Sequence, residues 1–462
     1  MSSPVPNVVS RAVFNLFFGA RRKPLANLPG PQPGILGTAG DFFGGVKPWD
    51  VCARYGREYG GVTLIWLVGS PGLVLNDPVL IEQVLDSRRL EFEKGGVSEQ
   101  IKPATTHHAL FVAKQSEDWA EKRRADPFEQ PWSKDWLAAQ VDPMQAAVAE
   151  SLEPLVGGAS MDLTPVLRRM TADAFAVAGA GEKLPDSVFE DFMLLAKGAD
   201  NRIQANIPLR FVSMPKGFEA ARERFYGYFA QRVSAARRSP NPGAVDLLSR
   251  TLREMPGIND EVLAHVIGHL FFGGVFSSST TLVGAFHQMQ KYPSAEARLA
   301  AEAASLAGGP LTLERMKGTP WIEAVAYESM RILPAVRIFT RTPVADAALA
   351  GVTLPAGTTI LITNQHLHRD PSHWKNPDTF EPSRWLDGGA ARDPLGSGYF
   401  FPFGRGPRTC VGDAFAMVFL QTALATIAAR AKVHVDSTEP FEEGFFFGVV
   451  LPKGVTGKFL PR

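Results

Sequence analysis

Between residues 403 and 412 the chain reads Phe403-Gly404-Arg405-Gly406-Pro407-Arg408-Thr409-Cys410-Val411-Gly412, and an apolar helical pattern begins directly afterwards. Glycine at 404 and 406 opens positive φ, so the loop can turn tightly and aim N–H groups at the Cys410 sulfur. A helix starting just behind that sulfur favours the thiolate over the thiol. Gly412 lets the helix approach a flat ligand closely. Arg408 is placed to grip a carboxylate through a bidentate charge-assisted bond. These residue types in this order read as a loop that offers a thiolate to a metal held in a planar, carboxylate-bearing group. A buried structural cysteine explains the pattern poorly.

Cys52 and Cys410 are the only cysteines. That is too few for a disulfide framework, so a reducing, cytoplasmic setting is expected. A net charge of +1 without long charged runs gives no sign of nucleic-acid binding. Near the start, Ala12-Val13-Phe14-Asn15-Leu16-Phe17-Phe18 is apolar and Arg21-Arg22-Lys23 follows. This run is too short to span a bilayer, and it lacks the basic start and small-residue cleavage site of a signal peptide. Residues 1–24 are expected to form a tail or a helix packed on the body, with a segment lying on a membrane surface as the alternative. Leu28-Pro29-Gly30-Pro31-Gln32-Pro33-Gly34 reads as a stiff hinge.

Val62 to Leu75 reads as two strands around a Gly/Pro turn, and Asp77-Pro78 opens a helix with Leu80, Ile81, Val84 and Leu85 on one side. Helical periodicity dominates from Met144 to Arg250. Asn259 to Lys291 reads as one long, mostly apolar helix with the acidic start Asn259-Asp260-Glu261. Pro343 to Thr363 supplies short strands, and Trp321 to Arg331 a further helix with Glu328 and Arg331 on one face. No repeat or low-complexity segment occurs, and no composition shift after Pro33 marks a second domain.

The pattern Phe-x-x-Gly-x-Arg-x-Cys-x-Gly resembles the signature of the cytochrome P450 family. The hinge likewise resembles the proline-rich segment ahead of the catalytic domain in membrane-associated members. The resemblance covers residues 25–462 and implies a mainly α fold, with a large helical core around haem b and a small β-rich subdomain. It implies Cys410 as the iron ligand, within a loop that includes Phe403, Gly406, Arg408 and Gly412. Glu328 and Arg331, followed later by Arg384 in Asn376-Pro377-Asp378-Thr379-Phe380-Glu381-Pro382-Ser383-Arg384-Trp385, match the family's Glu-Arg-Arg triad. Its expected role is to lock the segment leading into the cysteine loop. Trp119, Arg123 and Arg341 match positions that meet haem propionates. The implied activity is insertion of one oxygen atom from O2 into a lipophilic small molecule by hydroxylation or epoxidation. Electrons are expected from a separate ferredoxin or flavoprotein reductase, because no reductase segment appears in the sequence; a face that includes Arg405 is its expected docking site. A monomer is expected.

One motif departs from the family. In Phe271-Phe272-Gly273-Gly274-Val275-Phe276-Ser277 the family carries an acid and a threonine that bend the helix and relay protons to dioxygen. Gly273 and Gly274 suit the bend. Phe276 occupies the acid position and Ser277 the threonine position. The Ser277 hydroxyl is expected either to organise a water for proton delivery or to bond the carbonyl one turn back. A peroxide-using or redox-neutral haem-thiolate enzyme is therefore the alternative function, and a non-catalytic haem sensor a more distant one. His265 and His269, on the same stripe, are expected to be packing histidines, with a proton path to Ser277 as the alternative. His107, His108, His366, His368 and His373 are expected at the surface or as caps. Expected pocket walls are Gly95 to Leu110, Phe211 and Met214, Phe272 and Phe276, and the turn Gly444-Phe445-Phe446-Phe447-Gly448.

Overall fold

The computed structural model describes residues 6, 8–42, 46–95, 97–106, 109, 112–114, 133–204, 212–306, 309–386 and 398–462. The chain divides into two compact units, each discontinuous in sequence. The first contains Met1–Val97, Val336–Thr379 and Asp393–Cys410, and the second Ser98–Ala335, Phe380–Arg392 and Val411–Arg462.

The first unit is built on a five-stranded sheet. Its order is Val62–Leu67, Ser70–Leu75, Thr359–Thr363, Ile338–Pro343 and Phe92–Lys94, and among these neighbours only the Ser70–Leu75 and Thr359–Thr363 pair is parallel. The expected Gly/Pro hairpin is its first two strands. Side chains alternate along Val62–Leu67 because a strand has period two. Leu64 and Trp66 join a cluster with Phe14, Leu25, Leu73, Ile360 and Phe401, whereas Ile65 faces Cys52 and Tyr55. The amino-terminal apolar run forms the helix Val8–Arg22, seated through Phe14, whose ring meets Trp66 edge-on at 5.3 Å. Its other side leaves Leu16 and Phe17 exposed.

The second unit is the helical one. The long helix runs over Asp260–Lys291, and Asn259 caps it by accepting from the Glu261 and Val262 N–H groups at 2.9 and 3.2 Å. It is apolar on nearly every side because the helices Leu163–Ala180, Phe218–Arg238 and Pro320–Ile332 pack around it. Gly274 is needed for that packing: a Cβ there would lie 2.2 Å from the Phe175 ring. This helix and Asp413–Arg430 are long and apolar enough to cross a bilayer, yet two-thirds of each apolar stretch is buried inside the protein. Strands form a three-stranded sheet and a hairpin, Glu442–Phe446 with Val449–Lys453. Thr280 Oγ1 donates to the Val450 carbonyl at 2.8 Å and ties the hairpin to the long helix.

Candidate active site

The cysteine loop belongs to the first unit. Gly404 and Gly406 adopt φ of 77° and 72°, and a Cβ on Gly406 would meet the Leu85 carbonyl oxygen at 2.3 Å. Glycine at 406 therefore satisfies both the backbone and the close approach. The Gly404 N–H donates to the Phe401 carbonyl at 3.0 Å, and the Cys410 N–H donates to the Phe403 carbonyl at 2.8 Å. Thr409 Oγ1 donates to that same carbonyl at 3.3 Å. Held this way, Cys410 is exposed. Gly412, by contrast, has an ordinary φ of −98° and caps the helix Asp413–Arg430.

Arg341 lies in the same unit, on the strand Ile338–Pro343, and is buried with Nη1 donating to the Thr340 carbonyl at 2.9 Å. Burial, and then the charge of Arg408, pull its guanidinium down to about 10. Two cations that oppose each other in this way would both be relieved by an anion. Trp119 and Arg123 lie outside the described residues.

The structure brings Glu328, Arg331 and Arg384 together within the second unit. Glu328 is fully buried, as is Arg331. Arg331 donates from Nε and Nη2 to the two carboxylate oxygens at 2.9 and 2.8 Å, and Arg384 Nε donates at 3.0 Å. Two partners escaped the sequence reading: the Glu381 N–H, at 2.8 Å, and the Trp385 indole N–H, at 2.9 Å. The adjacent Glu381-Pro382-Ser383-Arg384-Trp385 was the available signal, since a 3-10 turn over Pro382–Trp385 carries these donors to one carboxylate.

The long helix is α-helical throughout, the glycine pair Gly273-Gly274 included. Phe276 is fully buried, stacked on Phe192 at 5.3 Å and packed against Phe446 and Phe447 at 5.3 and 5.8 Å. The Arg168 guanidinium sits over the same ring at 5.4 Å, its pKa lowered by burial. Core packing, rather than an open wall, accounts for Phe276. Ser277 Oγ donates to the Gly273 and Gly274 carbonyls at 3.3 Å each, which is the back-bonded alternative.

A family model described as cytochrome P450 matches residues 28–456. The chain belongs to the cytochrome P450 family. It is 31% identical over 371 residues to a cyclooctat-9-en-7-ol 5-monooxygenase from Streptomyces melanosporofaciens, an alignment covering 77% of this chain and 79% of that protein. It is also 24% identical to a ferruginol synthase from Salvia fruticosa, over 96% of this chain and 95% of that one. The mainly α architecture is that of the P450 family. The protein is a haem-thiolate monooxygenase: such enzymes take electrons from redox partners and oxygenate lipophilic molecules.

Of the histidines of this P450 expected at the surface or as caps, His368 is a cap: it closes the short helix Asn364–Leu367 and is fully buried, and its Nε2 accepts the Phe401 N–H at 3.1 Å. His366 is half-buried, and His373 stacks on Tyr399 at 4.2 Å. His107 and His108 lie outside the described residues. His265 and His269 pack as expected: His265 meets the Tyr226 ring edge-on at 4.8 Å, and His269 Nε2 lies 3.2 Å from Thr106 Oγ1. Of the expected walls, Phe272 and Phe447 share the Phe276 cluster, Phe445 is exposed, Met214 is half-buried and Phe211 lies outside the described residues. Asp200 was missed. It accepts the Phe447 N–H at 3.0 Å, holding a turn in which Phe447 takes φ of 54°, and burial raises its pKa.

Proposed function

We propose that Cys410 would hold the iron of haem b through its thiolate and that Arg341 and Arg408 would pair with its propionates. The support is the Arg341–Arg408 couple, whose depressed guanidinium calls for an anion beside an exposed cysteine on a rigid turn. The haem, when bound, supplies oxygen activation and transfer. The residues of the chain supply the rest. Cys410 would hold the metal and supply electron density to it, and the bond from its N–H to the Phe403 carbonyl orients the residue. The Glu328 cluster holds its segment rigid. The Ser277 hydroxyl is able to donate a proton outward when it leaves the Gly273 and Gly274 carbonyls.

The proposed substrate is a cyclic terpenoid, supported by the aromatic make-up of the second unit and by the molecules named in the relatives, cyclooctat-9-en-7-ol and ferruginol. The proposed electron donor is a ferredoxin or a flavoprotein reductase meeting the face of Arg405. We also propose a cytoplasmic monomer that touches membrane peripherally through Leu16, Phe17, Ile35 and Val68, exposed apolar residues of the first unit, with Arg21 and Arg22 toward anionic headgroups. Co-sedimentation with anionic but not neutral vesicles, reduced in Leu16→Asp plus Phe17→Asp, tests this contact.

A peroxide-using enzyme is the second reading, favoured by Phe276 standing where the family has an acid. Product formation from a terpenoid panel, with reduced nicotinamide cofactor plus surrogate partners or with peroxide alone, separates the two. Turnover only with the electron donors supports monooxygenation; turnover only with peroxide supports the rival.

A further inference from the structure

His368 is the one histidine fully buried beside the cysteine loop within the first unit. Its main-chain N–H donates to the Asn364 carbonyl at 2.8 Å, and Asn364 Nδ2 in turn donates to the Val336 carbonyl at 2.9 Å, so the residue sits on a fixed base. Its ring lies 4.9 Å from that of Phe400 and 5.7 Å from that of Phe401. The decisive contact is polar. A backbone N–H can only donate, so the Phe401 N–H at 3.1 Å makes Nε2 an acceptor and leaves the proton on Nδ1. The imidazole must be neutral and in that tautomer for the bond to exist.

Phe401 is where the chain enters the loop. Its carbonyl accepts the Gly404 N–H at 3.0 Å, and two residues further on the Phe403 carbonyl accepts the Cys410 N–H at 2.8 Å. We infer that His368 is a positioning residue for Cys410: by accepting the Phe401 N–H it sets the irregular segment whose carbonyls orient the cysteine. An apolar side chain of similar size would fill the space and leave that N–H orphaned in the interior. The loop would then gain a reason to shift toward another acceptor, and the sulfur would move with it.

The inference rests on Cys410 being the haem ligand. The test uses haem-loaded full chain and reads the reduced, carbon-monoxide-bound spectrum per haem, as the ratio of the displaced Soret band to the thiolate-type band. Losing one buried hydrogen bond should raise this ratio about tenfold in His368→Leu. His368→Gln, whose amide oxygen can accept, should recover most of the change. Should His368→Leu fail to fold, His368→Asn replaces it, with an expected ratio between wild type and Leu because its oxygen falls short of Phe401. Wild-type ratios across these variants, with only a lower melting temperature, would overturn the inference and leave His368 as packing. Cys410→Ala separates the two failures: if it keeps the thiolate-type band, the ligand assignment falls and this inference with it.

Discussion

Glu328 and Phe276 are both fully buried in the second unit, yet they meet the family pattern in opposite ways. Glu328 carries a charge, so its oxygens need partners, and Arg331, Arg384, the Glu381 N–H and the Trp385 indole supply them. No single member can change without stranding another. Phe276 carries no charge, and its surroundings of Phe192, Phe446 and Phe447 constrain mainly shape and volume, with the Arg168 guanidinium over the ring at 5.4 Å as an ionic neighbour. Where the interior is ionic the motif persists residue by residue. Where the position has been taken by an aromatic ring, the motif is replaced by packing, and the nearby Ser277 hydroxyl turns back onto its own helix.

The comparison breaks most readily at Glu328. Glu328→Ala leaves Arg331 buried without its carboxylate and should cost about 3–5 kcal/mol, seen as loss of soluble, haem-loaded protein. A folded, fully loaded Glu328→Ala protein would show that the cluster is dispensable. Phe276→Ala should cost a similar or slightly smaller amount, about 3–5 kcal/mol less any collapse of the cavity, but by a different route. Phe276→Leu should recover much of the loss in chemical denaturation, whereas Glu328→Gln should recover little. Equal rescue by both conservative changes would erase the distinction drawn between charge and packing.

Gly274→Ala comes next. Its Cβ, 2.2 Å from the Phe175 ring, should cost about 1–3 kcal/mol through overpacking; Gly273→Ala, where nothing lies within 4 Å, should be close to neutral. A reversal of that order in thermal melts would mean that Gly273, not Gly274, is the constrained position. The smallest effect belongs to Ser277→Ala. Because, among the described residues, the hydroxyl bonds carbonyls of its own helix, stability should change by under about 1 kcal/mol. Product formed per reduced nucleotide consumed should be low in both proteins, given the absence of an acid at 276. A steep further fall in Ser277→Ala alone, with peroxide-driven turnover unchanged, would place the hydroxyl in proton delivery.

Much of this site is legible in sequence because its chemistry demands particular residues. Gly404 and Gly406 are dictated by a tight turn, Arg408 and Cys410 answer the anion and metal of the proposed haem, and Glu328, Arg331 and Arg384 are dictated by a buried charge. The long helix is equally readable, since its cap at Asn259 and its apolar length are local properties. What sequence did not reveal is non-local. The Trp385 indole and the Glu381 N–H reach Glu328 across more than fifty residues. His368 stands in a polar-looking stretch, and nothing in its neighbours announces that the Phe401 N–H will donate to it. The direction of the Ser277 hydroxyl was undecidable for the same reason: both outcomes suit a serine on a helix.

The central claim is that Cys410 is the thiolate ligand. The other cysteine, Cys52, is fully buried in the helix Pro48–Tyr59, and burial pushes its thiol up to about 12, so it offers no substitute thiolate. The most direct measurement is therefore the reduced, carbon-monoxide-bound spectrum of wild type and Cys410→Ala, each normalised to haem. The account predicts a thiolate-type Soret band in wild type and its complete absence in Cys410→Ala. Persistence of that band in the variant would contradict it.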